Sequence, residues 1–244
     1  TCAVPICPFC LTIYAYDRND RLTRETKYTT DPDNPDSTTL YSYGAGNEGT
    51  EQTDKVVHAG SYSGPVTSET IFTYDVMGRM TEVEITEGET TTTVSYAYDA
   101  SGFRVEQTVD GVRTVYLVDP ANPTGYSQTI EEGVDASDDH RLDDGEVAKA
   151  YTLGLSVLTQ AIDGQVLHLL SDAHGNVIAV LDAQAAPALA SILERYVYSA
   201  YGVDLGLAAI PLTAIRYAGQ FIDPLTGLSF NRARSEEHTS ELQS

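Results

Sequence analysis

The sequence predicts an all-β chain built as an array of antiparallel β-hairpins. Its 244 residues include 16 Tyr and 5 Phe but no Trp, and aromatic and β-branched residues favour strands. A pattern of alternating aromatic residues, an aspartate and turn-forming residues also recurs, at spacings of 27, 31, 24 and 20 residues from Tyr16 to Val118. Recurrence at such a period is typical of repeat architectures.

Each clear copy of the pattern is an aromatic residue, one intervening residue, then Tyr-Asp and a turn. Because strand side chains alternate between the two faces of a sheet, the two aromatic residues lie on the same face. We interpret these stripes as cross-strand ladders, with a ligand-binding platform as the alternative. The clear copies are residues 14–23, 72–81 and 96–105, and the weaker relatives are residues 41–44, 116–119 and 196–202.

The turn of each copy has its own chemistry. The aspartate is expected to end the strand and accept hydrogen bonds in the turn, while Gly78 and Gly102 take positions with positive φ. In the first copy Asn19 and Asp20 replace the glycine, and these residue types are the next most tolerant. The residues assigned as structural positions of the repeat are Tyr14, Tyr16, Asp17, Tyr74, Asp75, Gly78, Arg79, Tyr98, Asp99, Gly102, Tyr196, Tyr198 and Gly202.

The segments between the copies are less regular. Residues 31–68 are polar and turn-rich and are expected to form long hairpin tips or connecting loops. Alternation predicts strands over 150–158, 166–170 and 177–181, with a turn at 172–176. Residues 183–193 are Ala-rich and predict either one short helix or an inserted loop.

Two segments contain groups that could bind a metal. Residues 135–146 are strongly acidic but lack the EF-hand pattern, so a solvated loop is predicted and calcium binding is the alternative. Cys2, Cys7 and Cys10 include a lone C-x-x-C. A zinc site needs four ligands and a redox site needs a βαβ context, so we interpret residues 1–13 as the edge of a longer polypeptide.

Residues 215–232, IRYAGQFIDPLTGLSFNR, predict a final hairpin. Residues 216–221 are expected to form one strand and residues 228–231 the other. Between them Pro224 presets φ, Gly227 takes a positive φ and Asp223 accepts backbone hydrogen bonds. The residues assigned as structural here are Arg216, Tyr217, Gly219, Gln220, Asp223, Pro224, Gly227, Leu228 and Arg232.

The order Arg-Tyr-Ala-Gly-Gln, then Asp-Pro-x-x-Gly-Leu, resembles the opening of the RHS repeat-associated core, and the upstream copies resemble YD repeats. The resemblance implies a section of a curved or spiral YD-repeat shell that is incomplete at both ends. It implies repeats with acidic loops over 14–202, in which residues 116–132 are similar to a strand pair that precedes the core, and the start of the core over 203–234. Residues 235–244 resemble a translated sequencing adapter and are expected to be non-native.

The resemblance also implies a function. The chain is expected to be a non-catalytic structural module of a large bacterial protein, secreted or at the cell surface. It would enclose or present a C-terminal effector of the polymorphic-toxin kind. The alternative is an adhesion module that binds glycans or partner cells. The rest of the same polypeptide is the expected partner. Self-cleaving aspartates of the family lie beyond this sequence, so Asp223 is not assigned catalysis.

Composition and motifs agree with a scaffold. The sequence contains no G-x-S-x-G, Walker or H-E-x-x-H motif, and its five His show no triad spacing. We therefore predict no catalytic, cofactor-binding or metal-binding residue. A net charge of −22 argues against nucleic-acid binding. The sequence has no run of about eighteen apolar residues that would span a membrane.

Overall fold

The computed structural model describes residues 11–44, 51–124, 127–182, 192–199, 202–205, 211–231 and 234–236. These residues hold strands β1 to β15, which follow one another as neighbours in one sheet, and β16 to β18, which form a second sheet. The predicted all-β class and the array of antiparallel hairpins are confirmed. The chain divides into two compact units, with the boundary between Val94 and Ser95 inside β7.

The first unit is a run of consecutive antiparallel hairpins. Tyr14 pairs with Glu25, Glu25 with Thr39, and Tyr41 lies two residues further along the same face. By the same registers Phe72 also lies on that face, where Phe72 and Tyr41 are buried. Tyr14, Tyr41 and Phe72 thus share one sheet surface. Its strands are β1 (Leu11–Tyr16), β2 (Leu22–Tyr28), β3 (Ser37–Tyr43), β4 (Gln52–Ala59), β5 (Val66–Tyr74), β6 (Met80–Glu87) and the first part of β7 (Thr90–Tyr98).

A β-bulge lies at the second aromatic residue of each pattern in this unit. The register shifts at Tyr16, Tyr43 and Tyr74, each time at the end of the strand. The extra residue of each bulge lies in the partner strand, at Thr23, Thr53 and Thr81, and a bulge increases the local bend and twist of the strand that contains it. Each tyrosine therefore lies opposite a change of direction in the partner strand.

The prediction that residues 31–68 form only tips and loops is wrong. β3, β4 and the start of β5 lie in this segment. Thr38 and Thr39 are buried within the ladder between β2 and β4. Threonine is β-branched and fits a strand despite its hydroxyl group, so polarity was a misleading signal here.

In the second unit an antiparallel sheet is covered on one face by the end of the chain. The core combines strand residues with Tyr196 and Ile215 from the later segment. Its strands are the remainder of β7, then β8 (Arg104–Val109), β9 (Val112–Asp119), β10 (Gln128–Val134), β11 (Val147–Leu153), β12 (Val157–Ile162), β13 (Gln165–Ser171), β14 (Val177–Asp182), β15 (Ile192–Arg195), β16 (Phe221–Ile222), β17 (Ser229–Asn231) and β18 (Arg234–Glu236).

Three sequence predictions in this unit need correction. The strand expected over 150–158 is split into β11 and β12, because the Gly154 N–H donates to the Ser156 carbonyl at 2.8 Å in a tight turn. Residues 216–220 form a turn around the 3-10 segment Tyr217–Gly219 instead of a strand. The helix considered for 183–193 is wrong for its last two residues, which begin β15, and the others lie outside the described residues.

We call residues 211–231 the strap, because they cross one face of the sheet. The Gln160 side chain donates to the Leu212 carbonyl at 3.1 Å. The Val177 N–H donates to the Arg216 carbonyl at 3.0 Å, and the Ala218 N–H donates to Asn176 Oδ1 at 2.8 Å. The strap thus binds the sheet through both backbone and side-chain groups.

Gly202 tests how tightly the end of the chain is packed. It has φ +80°, and a Cβ added there would lie 2.7 Å from the Tyr217 ring. Gly202→Ala is expected to lower the free energy of unfolding by roughly 2–4 kcal/mol, because backbone strain and overpacking add. Gly102→Ala is the matched control, since Gly102 has φ +86° but a Cβ there meets nothing within 4 Å. Urea unfolding measures both, and equal stabilities would contradict the packing.

Candidate functional site

The repeat turns share one hydrogen-bonding scheme. In each turn, Oδ1 of the aspartate that begins the turn accepts hydrogen bonds from the backbone N–H groups two and four residues later. The distances are 2.8 and 3.0 Å at Asp17, 2.9 and 2.9 Å at Asp75, 2.9 and 2.8 Å at Asp99, and 2.8 and 3.0 Å at Asp172. A carboxylate that accepts several N–H bonds in a turn fixes its geometry.

The third residue after each aspartate has a left-handed backbone. φ is 59° at Asp20, 74° at Gly78, 86° at Gly102 and 82° at Gly175. The turn at Ser199 follows the same plan, because Gly202 has φ 80° and the Val203 N–H donates to Ser199 Oγ at 3.1 Å. The same backbone scheme therefore occurs in both units.

An arginine completes the turn in the first two copies. Arg21 Nε donates to Asp17 Oδ2 at 2.7 Å, and Arg79 Nε donates to Asp75 Oδ2 at 2.7 Å. The backbone N–H of each arginine is the largest influence and lowers the pKa of the aspartate; burial acts in the opposite direction, and the arginine side chain lowers the pKa further. The carboxylates are thus ionised acceptors within their own turns.

The remaining repeat positions meet the strap near its start. Arg216 stacks over the Tyr196 ring at 3.8 Å and pairs with Asp204 at 3.0 Å. The rings of Tyr198 and Tyr217 meet edge to face at 5.7 Å. The Tyr198 hydroxyl also donates to the Val177 carbonyl at 2.8 Å. Burial raises the pKa values of Tyr196 and Tyr198.

Asp223 is the centre of a buried polar network, with 1% of its surface exposed. Its Oδ2 accepts from the Tyr96 hydroxyl at 3.0 Å and from Gln107 Nε2 at 2.8 Å. Its Oδ1 accepts from the N–H groups of Leu225 and Thr226 at 3.0 and 3.3 Å. The Tyr116 hydroxyl donates to Gln107 Oε1 at 2.6 Å and extends the network. Both oxygens of the carboxylate are therefore engaged, which fits a clamp between strap and sheet.

Arg104 lies beside this network inside a box of aromatic rings. Its guanidinium is 5.3 Å from the Tyr96 ring centre, 5.2 Å from Tyr116, 5.4 Å from Phe221 and 4.3 Å from Phe230. The residue is only 6% exposed. Two of the rings belong to the sheet and two to the strap, so the arginine joins the two parts.

The other predicted strap residues fall around this clamp. Gly219 and Gly227 have φ of 68° and 69°. The Arg216 N–H donates to the Gln220 carbonyl at 2.9 Å. Leu228 is buried, Pro224 is exposed, and Arg232 lies outside the described residues.

Sequence reasoning missed Arg104, Gln107 and Tyr116. The available signal was Phe103-Arg104 in the third copy, where the first two copies have arginine directly after the residue with positive φ. Gln107 carries no comparable signal, because its partner Asp223 lies more than a hundred residues away. Tyr116 lies in one of the weaker copies, and its hydrogen bond to Gln107 is not indicated by the repeat pattern.

The acidic loop over 135–146 is held by hydrogen bonds within the loop and by Arg113 of β9. Arg113 pairs with Asp135 at 2.9 Å and lowers the pKa of Asp135 to about 2. Glu146 Oε1 accepts from the N–H groups of Ala136 and Ser137 at 2.8 and 2.9 Å. Among the residues that the structure describes, no group of three or more His, Cys, Asp or Glu is placed to hold a metal ion. Calcium binding by the loop remains an untested alternative.

The described part of the chain contains no helix with the length and apolar character needed to cross a lipid bilayer. Cys2, Cys7 and Cys10 lie outside the described residues.

The chain is similar in sequence to bacterial proteins named as tRNA nucleases. The tRNA3(Ser)-specific nuclease WapA of Bacillus spizizenii is 32% identical over 218 residues, which is 86% of this chain and 8% of the relative. The tRNA nuclease WapA of Bacillus subtilis is 30% identical over 218 residues, with the same coverage. This chain thus spans less than a tenth of the length of these relatives. No family model matches the chain.

The fold is also similar to parts of solved toxin complexes. A Tc holotoxin pore of Photorhabdus luminescens that carries TccC3 aligns with 95% of this chain and 14% of its own, at 13% identity and a TM-score of 0.46. A complex of TcdB2 with TccC3 lacking the hypervariable C-terminal region aligns with 94% of this chain and 14% of its own, at 14% identity and a TM-score of 0.47. At these scores the likeness carries no conclusion about function.

Proposed function

We propose that the chain is a non-catalytic structural shell module of a large bacterial protein of the RHS, or YD-repeat, kind. The protein would be secreted or exposed at the cell surface, and the module would enclose or present a C-terminal effector outside these 244 residues. The observation that carries this proposal is that the polar side chains at the repeat turns and beneath the strap make structural contacts. The turn aspartates, Asp223 and Arg104 are all engaged in contacts that hold hairpins and strap together.

The names of the sequence relatives support an effector-bearing protein. They are called nucleases, whereas Asp17, Asp75 and Asp223 of this chain accept hydrogen bonds within their own turns. A charge of −22 also opposes the approach of RNA. We infer that a nuclease activity of such proteins belongs to another part of the polypeptide.

Purified chain incubated with tRNA and Mg²⁺ is expected neither to cleave the RNA nor to retard it in a native gel. The full-length Bacillus subtilis tRNA nuclease is the positive control. Cleavage that follows the chain through its elution peak would overturn the non-catalytic role.

Enclosure is tested on the intact polypeptide in which the chain occurs. Its C-terminal effector is expected to resist added protease in the intact protein and to be digested when produced alone. Equal digestion in both forms would contradict enclosure. Binding of the purified chain to a glycan array or to whole cells would favour the adhesion module.

A further inference from the structure

The third repeat copy differs from the first two in the position of its arginine. Arg21 and Arg79 lie four residues after their turn aspartates and bind them at 2.7 Å. In the third copy this position is Phe103, whose N–H still donates to Asp99 at 2.8 Å. The arginine comes one residue later, as Arg104. The backbone turn is thus preserved while its side-chain ion pair is absent from the third copy.

The shift by one residue changes what the arginine can reach. Successive strand side chains point to opposite faces, and Arg104 opens β8 beside the strap. Its guanidinium lies within 5.4 Å of the ring centres of Phe221 and Phe230 from the strap, and of Tyr96 and Tyr116 from the sheet. A side chain that closes a turn in the other copies here contacts the strap.

The surroundings compensate the burial of this charge. A buried guanidinium is costly unless it is paired or lies over aromatic faces. Arg104 is 6% exposed and has four rings around it. It also acts electrostatically on Tyr96, which donates to the Asp223 carboxylate. The strap therefore supplies two of the four rings that favour an arginine at this place.

We propose that Arg104 is the positioning residue that selects the third repeat copy as the docking site of the strap. The strap contacts the guanidinium of Arg104, whereas the corresponding arginines of the first two copies bind the aspartates of their own turns. The recognised surface is the guanidinium with Tyr96, Tyr116 and Gln107 on the sheet. The segment that fits it is Phe-Ile-Asp-Pro at 221–224 together with Phe230. This inference does not depend on the proposed shell function.

The test compares two arginine variants of the full chain by hydrogen exchange. Arg104→Met removes the charge and keeps an unbranched side chain of similar reach. It is expected to speed amide exchange in the strap about tenfold or more, including the Ile222 and Asp223 N–H groups, which bond the Ala214 and Leu228 carbonyls. Arg79→Met is the matched control. It is expected to speed exchange in the turn over 75–79 and to leave the strap unchanged.

A third variant separates docking from a general loss of stability. Arg104→Lys keeps the charge but not the planar face that stacks on rings, so strap exchange is expected between wild type and Arg104→Met. If Arg104→Met does not fold, Arg104→Lys alone decides. Faster strap exchange with unchanged exchange in β1–β6 supports the proposal. Strap exchange equal to wild type in the folded variants, or an equal rise in Arg79→Met, overturns it.

Discussion

Asp223→Ala is expected to lower the free energy of unfolding of the second unit by roughly 3–5 kcal/mol. The substitution removes an acceptor from four donors at once: the Tyr96 hydroxyl, Gln107 Nε2 and two backbone N–H groups. The bonds from Tyr96 and Gln107 are buried and the two backbone bonds are partly buried, and Asp223 itself is 1% exposed. Unsatisfied buried donors cost more than the net value of the bonds they lose. Urea unfolding followed by circular dichroism measures the change.

Two neighbouring variants make this result specific. Asp223→Asn keeps the shape and one carbonyl oxygen for the turn, so it is expected to lose about half as much stability. Pro224→Ala changes an exposed residue next to it and is expected to alter stability by less than about 1 kcal/mol. If Asp223→Ala unfolds at the same urea concentration as Pro224→Ala, the clamp does not hold the strap.

The part of the fold that could be predicted from sequence is the part that local chemistry determines. The Asp75 turn needs only residues within four positions, and its carboxylate, glycine and arginine are all visible in the sequence. Strand alternation is also local, which is why β13, β14 and the turn between them were predicted correctly. The failure over 31–68 has a local cause as well, because polar Thr38 and Thr39 pack as strand residues.

The clamp could not be predicted because its parts lie far apart in the chain. Tyr96 and Gln107 reach Asp223 across 127 and 116 positions, and no periodicity connects them. The motif at 223–227 predicted a tight turn, and Gly227 takes the positive φ expected there. What it could not indicate is that the same carboxylate binds the sheet with its second oxygen. The same aspartate thus closes its own turn and also joins the strap to the sheet, and the second contact depends on where the strap crosses the sheet.

Raising the pH above about 10 is expected to unfold the second unit in a cooperative step. Burial raises the pKa values of Tyr96, Tyr116, Tyr151, Tyr196 and Tyr198. The unfolded chain loses these protons near the usual value, whereas the folded chain retains them. The stabilisation is therefore complete below pH ~10 and is lost as the pH rises beyond it. Each such tyrosine adds about 1.4 kcal/mol per pH unit to the slope.

Phenolate absorbance and far-ultraviolet circular dichroism, followed in the same titration, test this expectation. The buried tyrosines should ionise together with the loss of β structure, and in urea all phenols should titrate near pH ~10 without a cooperative step. Tyr151→Phe leaves the Asp223 network intact and should reduce the slope by about 1.4 kcal/mol per pH unit. Complete ionisation of the tyrosines while the dichroism stays native would mean that their rings are accessible to hydroxide. The aromatic side chains under the strap would then be exposed to solvent. In that case neither the Asp223 network nor the contacts of Arg104 with the four rings would hold the strap on the sheet.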